Sequence, residues 1–195
     1  MKLIYGVGYN DRTYPAAENK KSVREYDLWH SMLTRCYSGG FKRINAAYEG
    51  CTVSENFKSY SYFYEWCQRQ IGFNEKEWQL DKDLLFKGNK QYSEDTCVFV
   101  PQSINKTLPF CQKRGLRHAV GVSYHTKKRK YVVQPQLQQD GSRRWLGAYD
   151  TEVEAFQVYK VYKERHLKNL AKSYYGRLDK RAYSALMAWE VDMSD

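Results

Sequence analysis

Between Leu80 and Asn105 the chain reads LDKDLLFKGNKQYSEDTCVFVPQSIN, and Asp81, Asp83, Asn89 and Asn105 offer oxygen atoms that a short hairpin can bring together. Carboxylate and amide oxygens suit a hard divalent cation, Mg2+ or Mn2+. Such a cation, held against a phosphodiester with a base nearby to deprotonate water, supplies what hydrolysis of that bond requires. Asp81 and Asn105 are the first choices for metal ligands, with Asp83 and Asn89 as further candidates. Lys82 completes the catalytic set of Asp81, Lys82 and Asn105. A lysine of ordinary pKa is only about 0.04% neutral at pH 7, so service as a base needs a downward shift of about three units, roughly 4 kcal/mol. Without that shift a lysine suits phosphate binding or stabilisation of developing charge. The plainer alternative is that Asp81 and Asn105 cap and stitch a turn, as these residue types often do.

The segment must be strand, turn, strand and helix to place these groups: WQLDKDL, then KGNKQYSED, then CVFVP, then a helix from about Gln102. Upstream, residues 10–22 are polar, contain Pro15 and show no period, so they read as a loop or flexible arm. Leu28, Met32 or Leu33, and Cys36 fall at helical spacing with Trp29 beside them, until Gly39 and Gly40 stop the pattern. After a loop through residue 50, CTV is a short strand. Ser54 then caps a helix whose stripe of Phe57, Tyr60, Phe63 or Tyr64, and Cys67 packs a core.

A formal net charge of +10 points to a polyanionic partner, with nucleic acid first. No apolar run approaches the length needed to cross a bilayer, and the start, MKLIYGVGYNDRTYP, turns polar too soon for a signal peptide. The expectation is a cytoplasmic protein with no membrane and no small-molecule cofactor. Cys36, Cys51, Cys67, Cys97 and Cys111 are odd in number and form no CxxC or CxxH pair, so they read as reduced interior thiols; zinc held by distant cysteines is the alternative.

LPFCQKRGLRH has the composition of a linker, and a boundary near residue 112 divides the chain into modules 1–111 and 112–195. In the second, VGVSYHT, KYVVQPQLQ and RRWLGAY read as three strands, with Asp140-Gly141 a hairpin signal. Thr151 and Glu154 form a capping box that opens a helix, and a last helix from about Asp179 carries Ala182, Leu186 and Trp189. Between Gln112 and Tyr149 nine basic residues face one acid, Asp140. That imbalance across a small sheet calls for a polyanion nearby. By alternation, Ser123, His125, Val132, Gln134, Gln136, Arg143 and Trp145 form one exposed face, and Val122, Tyr131, Val133, Leu146 and Ala148 meet the helix.

Two resemblances rest on these stretches. GVSYHTKKRKYVVQPQLQQDGSRRWLGAYDTEVEAFQVYK, about residues 118 to 170, resembles the ethylene-response-factor (Apetala-type) DNA-binding domain in its G-V start, its W-L-G third strand and its T-x-x-E-A-x-x-x-Y helix. That family lays its sheet in the major groove of double-stranded DNA. The resemblance implies that Ser123, His125, Lys130, Gln134, Gln136, Arg143 and Trp145 face DNA, with Lys127, Lys128, Arg129 and Arg144 in the same basic set. Ser123, Lys128 and Gln136 stand where the plant proteins usually hold arginine or tryptophan, so the recognised sequence does not carry over. Residues 80 to 106 resemble the HNH family of phage and intron-encoded homing endonucleases, whose hairpin reads approximately V-D-H-x-D-G-N, then N-L-x-W-V-T, then I-N. Leu80-Asp81, Thr96 to Pro101 and Ile104-Asn105 match it, and Lys82 takes the histidine position.

The fold expected is α+β: amino-terminal helices and a ββα-metal hairpin, linked to a three-stranded antiparallel sheet with a packed helix. The resemblances imply a phage-type protein of the host cytoplasm that nicks or cleaves DNA with Mg2+ or Mn2+. The alternative is an inactive nuclease scaffold that regulates DNA or blocks host proteins on it. Among the imidazoles, His118, close to the linker, is the best-placed substitute for the missing base.

Overall fold

The polar stretch after residue 10 forms a two-residue antiparallel hairpin, β1 (Ala17–Glu18) and β2 (Lys21–Ser22), where a loop or arm was expected. Its turn residues Asn19 and Lys20 both take positive φ, 49° and 63°, the geometry that matches the twist of a tight hairpin. Helix α1 (Arg24–Tyr37) follows, with Glu25 and Asp27 in the first turn and Arg35 in the last, each complementing the helix dipole. Trp29, Met32, Leu33 and Cys36 form its buried stripe. The glycine pair expected to stop helicity instead opens helix α2 (Gly39–Ile44): extended Ser38 breaks the axis and its Oγ accepts from the Phe41 N–H.

Strand β3 (Thr52–Val53) leads into two helical segments where one was expected. Ser54 Oγ accepts from the Phe57 N–H in a 3-10 turn, and Ser59 then N-caps α3 (Tyr60–Gln68) through the Tyr62 N–H. The aromatic stripe packs as read. Phe57, Tyr60, Phe63 and Cys67 are fully buried, and Trp29 Nε1 donates 2.8 Å to the Phe57 carbonyl. Ring contacts carry this core onward, Phe57 edge-on to Trp66 at 4.8 Å and Trp66 tilted against Phe99 at 5.9 Å.

Strands β4 (Trp78–Asp81) and β6 (Val98–Pro101) pair antiparallel, Trp78 opposite Pro101 and Asp81 opposite Val98, and α4 (Gln102–Thr107) follows directly. The connection between them contains β5 (Gln91–Tyr92), which pairs parallel with β3 and which local sequence pattern does not reveal. Arg24 fastens the approach to β4. Its guanidinium donates to the carbonyls of Phe73, Glu75 (3.0 Å) and Trp78 (2.6 Å) and lies over the Phe73 and Phe99 rings.

Strands β7 (Val122–His125), β8 (Lys130–Val133) and β9 (Gly147–Tyr149) form an antiparallel meander in that order. Helix α5 (Glu152–Ser173) packs on all three, opened by the expected capping box between Thr151 and Glu154. Helix α6 (Lys180–Met187) buries Ala182 and Leu186, and Trp189 lies beyond its end. The chain is α+β. The structure describes residues 3–108, 117–134, 144–193 and 195 of this computed structural model. It forms two compact units, Met1–Lys106 with Gly176–Tyr183, and Thr107–Tyr175 with Ser184–Asp195. Among the described residues no helix is long and apolar enough to cross a membrane.

Gly72 and Gly50 both lie in the left-handed region, at φ +87° and +73°. A Cβ on Gly72 would sit 2.1 Å from the Trp78 ring, whereas one on Gly50 meets nothing within 4 Å. Both alanine variants bear a backbone cost of about 1 kcal/mol, and Gly72→Ala adds about 1–3 kcal/mol of overpacking against the residue that starts β4. Chemical denaturation should show Gly72→Ala as the clearly weaker protein; equal losses would mean that Trp78 yields freely.

Candidate functional site

Asp81 ends β4 because its own side chain turns the chain. Oδ1 accepts the N–H groups of Asp83 at 2.9 Å and Leu84 at 2.7 Å, so WQLDKDL leaves the strand four residues in. The carboxyl is 5% exposed. Burial pushes its pKa up to about 6 and the neighbouring Asp83 adds to the rise, against the lowering effect of the two N–H groups and Lys82. Both of these hydrogen bonds fall on Oδ1.

Lys82 is buried as well, and its ammonium is spoken for. Nζ donates to Asp83 Oδ1 at 2.6 Å and to the Asn89 carbonyl at 2.7 Å, over the Tyr92 ring. Asn89 returns the contact, donating from Nδ2 to the Lys82 carbonyl at 2.8 Å and to the Gln91 carbonyl at 2.6 Å. This reciprocal clamp closes the loop ahead of β5.

Asn105 projects from α4 and donates from Nδ2 to Gln79 Oε1 at 2.8 Å. Gln79 and Asp81 are two apart on β4 and share a face, so Asn105 lies on the Asp81 side of the hairpin. Its Oδ1 is buried and has no partner among the described residues. A buried acceptor left unpaired costs about 1–3 kcal/mol. A cation would remove that cost. Asp81 and Asn105 each carry an oxygen of the hard kind that a divalent ion such as Mg2+ takes alongside water and phosphate. No cluster of three or more His, Cys, Asp or Glu side chains able to hold a metal occurs among the described residues. Cys36, Cys51, Cys67 and Cys97 are buried free thiols; Cys111 lies outside the described residues.

The hairpin contains no imidazole. His30 sits on α1 beside Thr34. His118 lies 3.5 Å from Glu152 and edge-on to Tyr131, in the second unit. The braces that sequence reading missed are Gln79 and Tyr92. The period of two along β4 signals Gln79; Tyr92 carries no comparable mark.

On the meander, register fixes the faces. Ser123 lies opposite Val132, Val132 opposite Ala148, and His125 opposite Lys130. Ala148 therefore shares the face of Ser123 and Val132, not that of Tyr131 and Val133 as expected, and it is exposed. Val132, expected on the exposed face, is buried. Lys127, Lys128 and Arg129 are exposed in the turn from β7 to β8, where the Lys128 N–H donates to His125 Nδ1 and Arg129 takes φ 51°. Lys128 Nζ lies 5.7 Å over the ring of Trp145, itself 49% exposed. Gln134 is exposed just past β8. Two basic residues are drawn elsewhere: Lys130 pairs with Asp150, and the Arg144 guanidinium lies over Tyr162 of α5. Gln136, Arg143 and the Asp140-Gly141 turn fall outside the described residues.

Comparison with family models, with curated proteins and with solved structures finds no match for this chain.

The native chain keeps a proton on Asp81 up to about pH 6, whereas the unfolded chain releases it near the ordinary carboxylate value of 3.8. The native state thus binds more protons between these values, and stability falls as pH rises through that window, by about 3 kcal/mol at about 1.4 kcal/mol per unit. Asp81→Asn keeps an Oδ1 acceptor for the two N–H groups and loses the titration. Its urea midpoint should stay level from pH 4 to pH 7 and exceed the wild-type midpoint at the upper end. A wild-type slope that persists in the variant would place the titration elsewhere.

Proposed function

We propose that this chain binds duplex DNA through the meander of its second unit, with Trp145 and the lysines of the β7–β8 turn on the contact surface. The observation that carries the reading is the exposed Lys128–Trp145 pair, a cation on an aromatic face, with Lys127 and Arg129 exposed in the same turn as Lys128. Cations of this kind neutralise phosphates, and glutamines such as Gln134 offer the amide that pairs with an adenine edge. Ser123 is exposed on β7, and His125, at the end of that strand, accepts from the Lys128 N–H.

For the hairpin we propose metal-dependent nicking of the bound duplex, supported by the unpaired Asn105 oxygen on the Asp81 side of β4. Asp81 and Asn105 would hold Mg2+ or Mn2+, which supplies a polarised phosphate and an activated water. Gln79 orients Asn105. The N–H groups of Asp83 and Leu84 orient Asp81, and the Lys82–Asn89 clamp braces the loop. A second reading, a scaffold that binds or shields DNA without cutting it, is favoured by the Lys82 ammonium, which is committed to Asp83 and Asn89 instead of offering a base.

In a mobility-shift titration, affinity should fall steeply with salt, and Trp145→Ala should weaken binding about tenfold or more with the fold intact, the scale of one stacking contact. Replacing Lys127, Lys128 and Arg129 together by alanine should flatten the salt slope by about two to three. No complex at low ionic strength, or a Trp145→Ala chain that melts, would refute the contact surface.

Supercoiled plasmid separates the two hairpin readings. Manganese-dependent conversion to the open circle that disappears in Asp81→Ala and in Asn105→Ala supports nicking. A wild-type chain that shifts the plasmid and leaves it closed supports the scaffold.

A further inference from the structure

Away from the hairpin and the meander surface, the second half of α5 carries a run of cations that its own unit does not answer. Between Glu164 and the end of the helix at Ser173 the chain places Arg165, Lys168 and Lys172 and no acid. Steps of three and four residues bring all three within about 60° of one another around the axis, in a row about 10 Å long. Leu167 and Ala171 are buried on the other side of the helix, whereas Arg165, Asn169 and Lys172 are exposed and Lys168 is half-buried. Among the described residues none of the three cations forms an ion pair. The acid next to the row, Glu164, is already held by Lys160 at 2.9 Å and by the Val191 N–H at 2.9 Å.

Two ordinary accounts of such a row fall short. The helix dipole favours cations at a carboxyl-terminal end, but its effect fades beyond the last turn, which holds Lys172 and neither Arg165 nor Lys168. A solvated helix face is usually laced by acids three or four residues from each base. Those positions around Arg165 and Lys172 hold Val161, Tyr162, Lys168, Asn169, Tyr175 and Gly176. Arg165 with Lys168, and Lys168 with Lys172, are therefore like-charge neighbours that repel until an anion comes between them.

We propose that this row on α5 binds the phosphate backbone of duplex DNA, as a contact separate from that of the meander. The inference rests on the reading of duplex DNA as the partner. At about 3.4 Å of duplex axis per phosphate on one strand, the row runs beside about three phosphates, and Asn169 adds an exposed amide donor. A helix that lies on a membrane turns a continuous apolar face outward, and here Leu167 and Ala171 are buried. A single strand is held by open rings, and the one ring between Arg165 and Ser173, that of His166, is stacked on Tyr162 with 4° between the planes. Evenly spaced backbone charge is what the row matches. Lys130, at the start of β8, pairs with Asp150 just ahead of α5, and from Glu152 the helix carries Arg165 about 20 Å and Lys172 about 30 Å further along. The row is thus a contact of its own, beyond the β7–β8 turn.

Titrating the full chain with a fluorescent duplex of about 20 base pairs across a salt series tests this. Replacing Arg165, Lys168 and Lys172 together by glutamine, a good helix former, should flatten the slope of log affinity against log salt by about two to three and weaken binding about tenfold or more at low salt. Replacing Lys20, Lys21 and Lys76, exposed cations of the first unit, by glutamine removes the same net charge and should change the slope by less than about one. Arg165→Gln alone should flatten it by about one, which decides the question if the triple variant fails to fold. A row variant, triple or single, that keeps the wild-type slope and affinity overturns the proposal, as does a control triple that loses as much. Loss of binding to phosphatidylserine vesicles with an unchanged duplex titration also overturns it, in favour of a membrane surface. The two contacts are read apart by Trp145→Ala. Binding that falls in Trp145→Ala and not in the row variant leaves the meander and removes the row; binding that falls in the row variant and not in Trp145→Ala does the reverse.

Discussion

The guanidinium of Arg24 is the contact on which the first unit depends. The Phe73, Glu75 and Trp78 carbonyls lie along the approach to β4 and at its first residue, and a backbone carbonyl left without a donor is costly where it is buried. One side chain from the first turn of α1 serves all three and lies against the Phe73 and Phe99 rings. The fork of an arginine can do this because its donors are coplanar and its face is weakly hydrated. A lysine in its place would offer a point charge and no stacking surface. With the approach tied down, Trp78 starts β4 in register with Pro101, and everything at the hairpin inherits its position from that register.

The hairpin places two acids and one cation in consecutive positions and gives each a different environment. Asp81 is dry and bound by backbone N–H groups; Asp83 is partly exposed and neutralised by Lys82. A buried ammonium needs acceptors on several sides, and Asp83 and the Asn89 carbonyl supply them. The same pairing commits the Lys82 donors to the loop itself.

Much of this architecture is written locally. The T-x-x-E box names the start of α5, and the aromatic stripe from Phe57 to Cys67 names the core of the first unit. Asp81 closes β4 and Asn105 stands on α4, bonded to Gln79, within the strand–turn–strand–helix order that the sequence pattern implies. Other features depend on partners distant in sequence. The parallel pairing of β5 with β3 joins residues about forty apart and follows from no local period. Gly39 and Gly40 look like a stop until Ser38 takes an extended conformation and starts another helix. Ala148 falls on the opposite face from its expected one because the register of β8 with β9 decides the matter.

Every cysteine among the described residues is buried, and burial pushes the thiols of Cys36 and Cys97 up to about 12 and raises that of Cys67 as well. The thiolate is the reactive species, so these sulfurs are chemically silent while the aromatic core stays closed. Cys36 belongs to α1, Cys67 to α3, and Cys97 immediately precedes β6. Alkylation at each would then time the opening of its own element, making the interior sulfurs a built-in clock for the breathing of this half of the molecule.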